Sequence, residues 1–104
     1  MREIKFRAWD NVDYMSKPFT LEDVRNRNVE FTDDVIIMQY TGLQDKNGKE
    51  IYDGDVVRSD RHRTVCKIVF QYGAFRFDLG TKKYAVEIEC EVIGNIYENP
   101  ELLT

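Results

Sequence analysis

Four kinds of side chain in this sequence have the types and spacing that chemistry can use: paired carboxylates, a lone histidine near a serine, two cysteines, and a basic run. Carboxylates lie together at Asp33-Asp34 and at Asp53 and Asp55. General acid–base work would need one member of a pair displaced from its ordinary pKa by burial. Both pairs fall in stretches that read as turns beside water, and the turn reading is preferred. Asp45, Asn47, Asp53 and Asp55 also offer oxygen ligands to a hard cation, but the calcium-loop spacing with its closing bidentate Glu is missing. His62 is the only histidine. It lies between Arg61 and Arg63, whose charges should hold it in solvent, and Ser59 is three residues away. No third group in the sequence would lock a Ser–His pair into working geometry. Gly73 and Gly80 match neither dinucleotide nor P-loop spacing. No catalytic residue, metal or cofactor is expected.

Cys66 and Cys90 have no CxxC spacing, and a zinc site would need more ligands than the chain supplies at sensible intervals. They read as two reduced, unlinked small hydrophobes on strands. The one electrostatic feature above background is Arg58, Arg61, His62, Arg63 and Lys67, offset locally by Asp60. Phe70, Tyr72, Phe75 and Phe77 follow it. A basic loop with stacking faces on a small β domain is one way to hold single-stranded nucleic acid, and Arg58, Arg61, Arg63 and Lys67 would be the phosphate contacts. The plainer reading is a solvated hairpin with aromatics in the core. The net charge of -4 and pI of about 5.0 favour the plainer reading.

The elements that must position these groups are strands. A chain of 104 residues fits one domain, and 42% hydrophobic with 12% aromatic residues is enough for one core. Charged residues, at 33%, are interspersed with apolar ones, which argues against a disordered tail. Ile4, Phe6 and Ala8 alternate with Lys5, Arg7 and Trp9, predicting a half-buried first strand. Asp10 to Asp13 is turn chemistry, with a short return at Tyr14-Met15 ended by Pro18. Thr20 to Asp23 resembles a capping sequence for one helical turn or a loop. Val29 to Phe31 reads as a short strand followed by a turn at Thr32 to Asp34. Val35 to Met38 is an apolar run that predicts a strand covered on both faces.

Asn47-Gly48 predicts a hairpin, since both residues tolerate the positive φ of a type I′ turn. Asp53-Gly54 predicts another tight turn at once. Asp55–Ser59, Thr64–Gln71 and Ala74–Leu79 read as three strands, Tyr84–Glu91 as a fourth, and Val92–Tyr97 as its continuation. Gly94 inside that last run marks a bulge or a close backbone approach. Asn99-Pro100-Glu101 can start a terminal turn. Short strands with frequent turns favour a small barrel or sandwich. Residues 1–40 look less regular and read as an extension packed on residues 41–104, within one domain.

Three blocks resemble one known family. The stretch QYTGLQDKNGKEIYDGDVV (Gln39 to Val57), the opening REIKFRAWD (Arg2 to Asp10) and the closing EVIGNIYENPEL (Glu91 to Leu102) are similar, in the same order, to the YopX family of bacteriophage and prophage proteins. The resemblance implies a mainly β fold, with a C-terminal barrel roll of the Src-homology-3 type and an N-terminal portion containing a β-hairpin. It implies phage or prophage origin and carries over no catalytic or ligand-binding residue. Within the central block, Gly42, Gly48 and Gly54 are spaced six residues apart, and with Asn47 and Asp53 they read as structural turns.

The expected function is a non-catalytic accessory protein, a module that binds a host or phage protein. The alternative is a nucleic-acid-binding accessory protein using Arg58 to Lys67. Free strand edges or the Val35 to Met38 run would favour homo-oligomers. Met1-Arg2-Glu3-Ile4 opens a polar–apolar alternation rather than a secretory signal, so the bacterial cytosol is expected, without membrane insertion.

Overall fold

Turns decide how the strands of this chain are divided between two antiparallel sheets. The computed structural model describes residues 3–31 and 33–104. Strands β1 (Phe6–Trp9), β2 (Ile36–Gln44) and β3 (Glu50–Tyr52) form a three-stranded sheet in the order β1-β2-β3. Strands β4 (Asp55–Ser59), β5 (Thr64–Gln71), β6 (Ala74–Asp78), β7 (Lys83–Ala85) and β8 (Cys90–Asn95) form a five-stranded sheet in the order β7-β6-β5-β4-β8. Helix α1 (Leu21–Arg25) and a 3-10 turn at Pro100–Leu103 complete the regular elements.

The mainly β expectation holds. The expected barrel, however, is open. β3 and β4 are separated only by Asp53-Gly54, yet they pair with different neighbours: Tyr52 with Tyr40, Asp55 with Asn95. Gly54, at φ +88°, makes the corner that sends the chain from one sheet to the other. At the far side β7 ends at Ala85 and the next residues leave the ladder, so among the described residues no strand joins the two outer edges.

Several local readings are corrected. The Asn47-Gly48 turn is not type I′. Gly48 has φ +82°, but Asn47 is not among the positive-φ residues, and the Gly48 N–H bonds the Asp45 carbonyl at 3.0 Å. The loop closes one residue wider, with Asp45 N–H on the Lys49 carbonyl at 2.7 Å. The pair of successive positive φ values lies instead at Tyr72 (55°) and Gly73 (78°), between the paired Gln71 and Ala74. Tyr84–Glu91 is not one strand, because the chain bends at Ile88-Glu89 before β8 begins. Val29–Phe31 forms no strand, and the turn reading at Thr32 falls partly outside the described residues. Val35–Met38 is not covered on both faces, since Ile37 is 44% exposed while Met38 is buried.

Other readings hold. Thr20 and Asp23 close a reciprocal capping box on α1. Gly94 is both a bulge neighbour and a close approach. The β4–β8 register shifts between Val56 and Val57, and a Cβ on Gly94 would lie 2.5 Å from Asn99 Oδ1. The main core lies on the inner face of the five-stranded sheet, from Ile51, Val57, Ile68, Phe77 and the two cysteines. A second cluster of Trp9, Met38, Tyr40 and Tyr52 fills the corner at Gly54.

Candidate functional site

Alternation on β1 places Arg7 and Trp9 on one face and Ala8 on the other, and both Ala8 and Trp9 are buried, while Ile4 is exposed. Arg7 reaches across to β4, where its guanidinium meets Asp55 Oδ1 at 2.5 Å. Asp55 is 1% exposed, and its other oxygen accepts the Tyr52 N–H at 2.7 Å. The guanidinium lies over the Tyr52 ring at 4.6 Å. Asp53 and Gly54 do form a turn, but not beside water: Asp55 is sealed and Asp53 is half-buried. Burial pushes both carboxyls above their usual range, and the Arg7 charge opposes that in each case. Burial likewise raises the Tyr52 phenol.

The same corner gathers all three sequence blocks that resemble the family. The Tyr40 N–H bonds the Lys5 carbonyl, and the Asp53 N–H bonds the Gln39 carbonyl, both at 2.9 Å. The Ile96 N–H bonds the Gly54 carbonyl at 2.9 Å. A Cβ on Gly54 would meet Met38 Sδ at 3.3 Å and the Tyr97 ring at 3.4 Å. Lys5 forms an ion pair with Glu50 beside the Tyr40 ring. Asp45 ties the hairpin to β8 by accepting Asn47 and Lys49 N–H groups on one oxygen and the Val92 N–H on the other. Burial alone would raise its carboxyl, but these three backbone donors hold it below the usual range. Asp45 and Asp55 thus act as internal ties. Among the described residues no cluster of three or more His, Cys, Asp or Glu side chains could hold a metal ion.

The basic segment lies on and around the β4–β5 turn. Arg58 meets Glu91 at 3.2 Å, Arg61 meets Glu87 at 2.7 Å, and Lys67 meets Asp78 at 3.9 Å. Arg63 sits at φ 52° in the turn, and of the four it alone lacks a carboxylate partner among the described residues. His62 is not held in solvent. Its ring stacks on Tyr84 at 4.3 Å and stands edge-on to Phe77, while the His62 backbone N–H, not the imidazole, donates to Ser59 Oγ at 3.2 Å. The expected stacking faces are split: Phe77 is core, whereas Phe70 and Tyr72 are 57% and 79% exposed. Cys66 and Cys90 are buried and unlinked, and burial pushes each thiol up to about 11.

The inner face of the β5–β6 hairpin outruns the core. Phe70 and Phe75 are cross-strand partners with rings 5.0 Å apart, continuing the row of Ile68 and Phe77 past the point where other elements cover it. With Leu43, Ala85 and Val86 they line an open groove of about 250 Å³. Among the described residues no helix is long and apolar enough to cross a membrane.

Comparison with solved structures gives similar folds over all or nearly all of the chain. The crystal structure of protein EF1440 from Enterococcus faecalis is 26% identical with a TM-score of 0.67, covering 100% of both chains. The crystal structure of protein yopX from Bacillus subtilis is 23% identical with a TM-score of 0.61, covering 96% of this chain and 98% of that one. A comparison with curated proteins gives no match. The model of the YopX protein family matches residues 14–104, which takes in two of the three blocks meeting at Gly54. On that match, the chain belongs to the YopX family.

Proposed function

We propose that this protein is a non-catalytic accessory protein of phage or prophage origin that works in the bacterial host cytosol as a protein-interaction module. The observation that carries this is the uncovered end of the β5–β6 hairpin. Phe70 is 57% exposed beside Leu43 in an apolar groove, where a core-facing row of side chains runs out of core. The buried carboxylates offer little to catalysis, since Asp55 is committed to Arg7 and Tyr52 and sealed from solvent. Phage origin rests on the family resemblance, and the cytosolic location on the polar–apolar opening and the unlinked cysteines.

The nucleic-acid reading has weaker support, because Arg58, Arg61 and Lys67 each spend charge on a neighbouring carboxylate. Co-purification from infected cells, with wild type beside a Leu43→Ser/Phe70→Ser variant, tests the proposal. A protein retained by wild type and lost with the folded variant supports it. Equal retention by both removes the groove from consideration.

A further inference from the structure

Each sheet has two edges, and the chain covers three of the four with its own groups. β1 is bordered by the returning segment, with Phe6 and Phe19 exchanging backbone hydrogen bonds at 2.8 Å. β3 has its Tyr52 N–H taken by Asp55. β8 has its Val92 N–H taken by Asp45 and its Cys90 carbonyl by the Lys46 N–H. Among the described residues nothing comparable covers β7. An uncovered edge is a row of unpaired donors and acceptors, which proteins usually blunt.

The directions of those groups follow from one hydrogen bond. The Leu79 N–H bonds the Lys82 carbonyl at 3.0 Å, so Lys82 faces β6. Backbone groups alternate along a strand, so Tyr84 also faces β6, while Lys83 and Ala85 point away from the sheet. Tyr84 and Ala85 are both exposed. The local sequence, Lys82-Lys83-Tyr84-Ala85-Val86-Glu87-Ile88-Glu89, is basic at its start, apolar in its middle and acidic at its end. Such a pattern is complementary to itself when reversed.

We propose that β7 is the seam of a two-fold symmetric dimer, in which the strand pairs antiparallel with β7 of a second copy, centred on Ala85. In this register Ala85 faces Ala85 as a hydrogen-bonded pair, which its outward N–H and carbonyl require. Lys83 of each copy then lies opposite Glu87 of the other and diagonal to Glu89. Tyr84 lies opposite Val86 on the inner face. A shift of one residue would place inward-facing backbone groups at the seam, so the hydrogen bonds and the charges select the same register. Glu87 keeps its contact with Arg61 and gains Lys83 of the other copy, which is shared with Asp78 of its own chain at 3.7 Å. The two five-stranded sheets become one continuous sheet, and the interface is isologous. The inference stands apart from the groove reading, which adjoins it only at Ala85 and Val86.

Sedimentation equilibrium over a micromolar to millimolar series tests it. Wild type is expected to dimerise. Ala85→Pro removes an N–H that β6 does not use, so the fold should persist by circular dichroism while the dimer is lost. Lys83→Glu and Glu87→Lys, each alone, should weaken the dimer roughly tenfold by placing like charges opposite one another. An equimolar mixture of these two variants should recover it, because each supplies the charge that the other lacks. Monomer at every wild-type concentration overturns the proposal. So does a dimer that survives Ala85→Pro, or a mixture that associates no better than either variant alone.

Discussion

Two regions of this molecule concentrate opposite charges, and burial separates what those charges do. At the Gly54 corner, the Arg7 and Asp55 side chains are 12% and 1% exposed and meet at 2.5 Å. In the β4–β5 hairpin, the Arg58 and Arg61 side chains are 57% and 69% exposed and meet Glu91 and Glu87 at similar range. Water screens the second set, so each pair is worth about 0–1 kcal/mol. The first set is bound by the cost of leaving either charge alone in the interior. Similar residue types therefore serve as a structural tie in one place and as a solvated surface in the other. The corner also gathers the sequence blocks that resemble the family, which gives their residues a physical reason to occur together.

The comparison breaks most directly at Arg7. Arg7→Ala leaves the Asp55 carboxylate buried without its guanidinium and should cost about 3–5 kcal/mol in urea denaturation. Adding Asp55→Ala to the same chain should return part of that loss, since no charge is then stranded. A double variant as unstable as the sum of the two single variants would mean that the pair is not coupled.

Backbone at the corner gives the next largest effect. Gly54 and Gly48 have nearly the same left-handed φ, +88° and +82°, but a Cβ meets Met38 and Tyr97 at the first and open space at the second. Gly48→Ala should cost about 1 kcal/mol of backbone strain alone. Gly54→Ala should cost about 2–3 kcal/mol, because the strain is joined by crowding of a packed cluster. Equal costs would show that Met38 and Tyr97 give way freely.

Acid–base behaviour separates the two kinds of buried carboxylate. Burial raises Asp53 in the folded state above its unfolded value, so the folded protein binds the extra proton more readily there. Its contribution is therefore most favourable below the ordinary carboxylate pKa, and it is lost as pH rises through the raised value. Asp45 is lowered, so its contribution is present above the ordinary value and is lost as pH falls through the lowered one. Asp53→Asn should then be more stable than wild type at neutral pH, with the advantage vanishing on acidification toward the ordinary carboxylate range. Asp45→Asn should be less stable at neutral pH, with the deficit shrinking in acid. Parallel pH profiles for wild type and both variants would contradict this assignment.

Most of the fold could be read from the chain, because period-2 alternation reports one-sided burial directly. β4, β5 and β6 lie within a residue of their expected limits, and the bulge at Gly94 follows from a glycine inside a strand. The Arg7–Asp55 tie could not be read, because its partners are 48 positions apart and alternation alone does not say which face turns inward. The Tyr72-Gly73 turn was hidden because tyrosine seldom takes positive φ. The open barrel reflects the absence of a bridging strand after Ala85, where clean alternation through Val86 to Glu91 suggested one. Exposure of Phe70 was illegible for a related reason: alternation gives a side chain's face but not how far the opposing layer extends.

The smallest effect belongs to the basic turn, whose charges are exposed. Arg61→Ala with Arg63→Ala removes one exposed ion pair, to Glu87, and one guanidinium that has no carboxylate partner among the described residues. Neither side chain is core, so stability should move by less than about 0.5 kcal/mol, an order of magnitude below the Arg7 variant. The same variant tests the nucleic-acid reading independently of stability. Were Arg58, Arg61, Arg63 and Lys67 phosphate contacts, wild type would bind single-stranded DNA or RNA at low salt with a steep salt dependence. Loss of two contacts would reduce that slope by roughly one to two. Three of the four cations already face carboxylates that phosphate would have to displace, and the chain as a whole is acidic. The expected result is therefore weak or no salt-dependent binding by either protein, together with superimposable melting curves. A steep wild-type salt slope that the double variant flattens would reverse the ranking of the two functional readings, and the turn would become the functional surface.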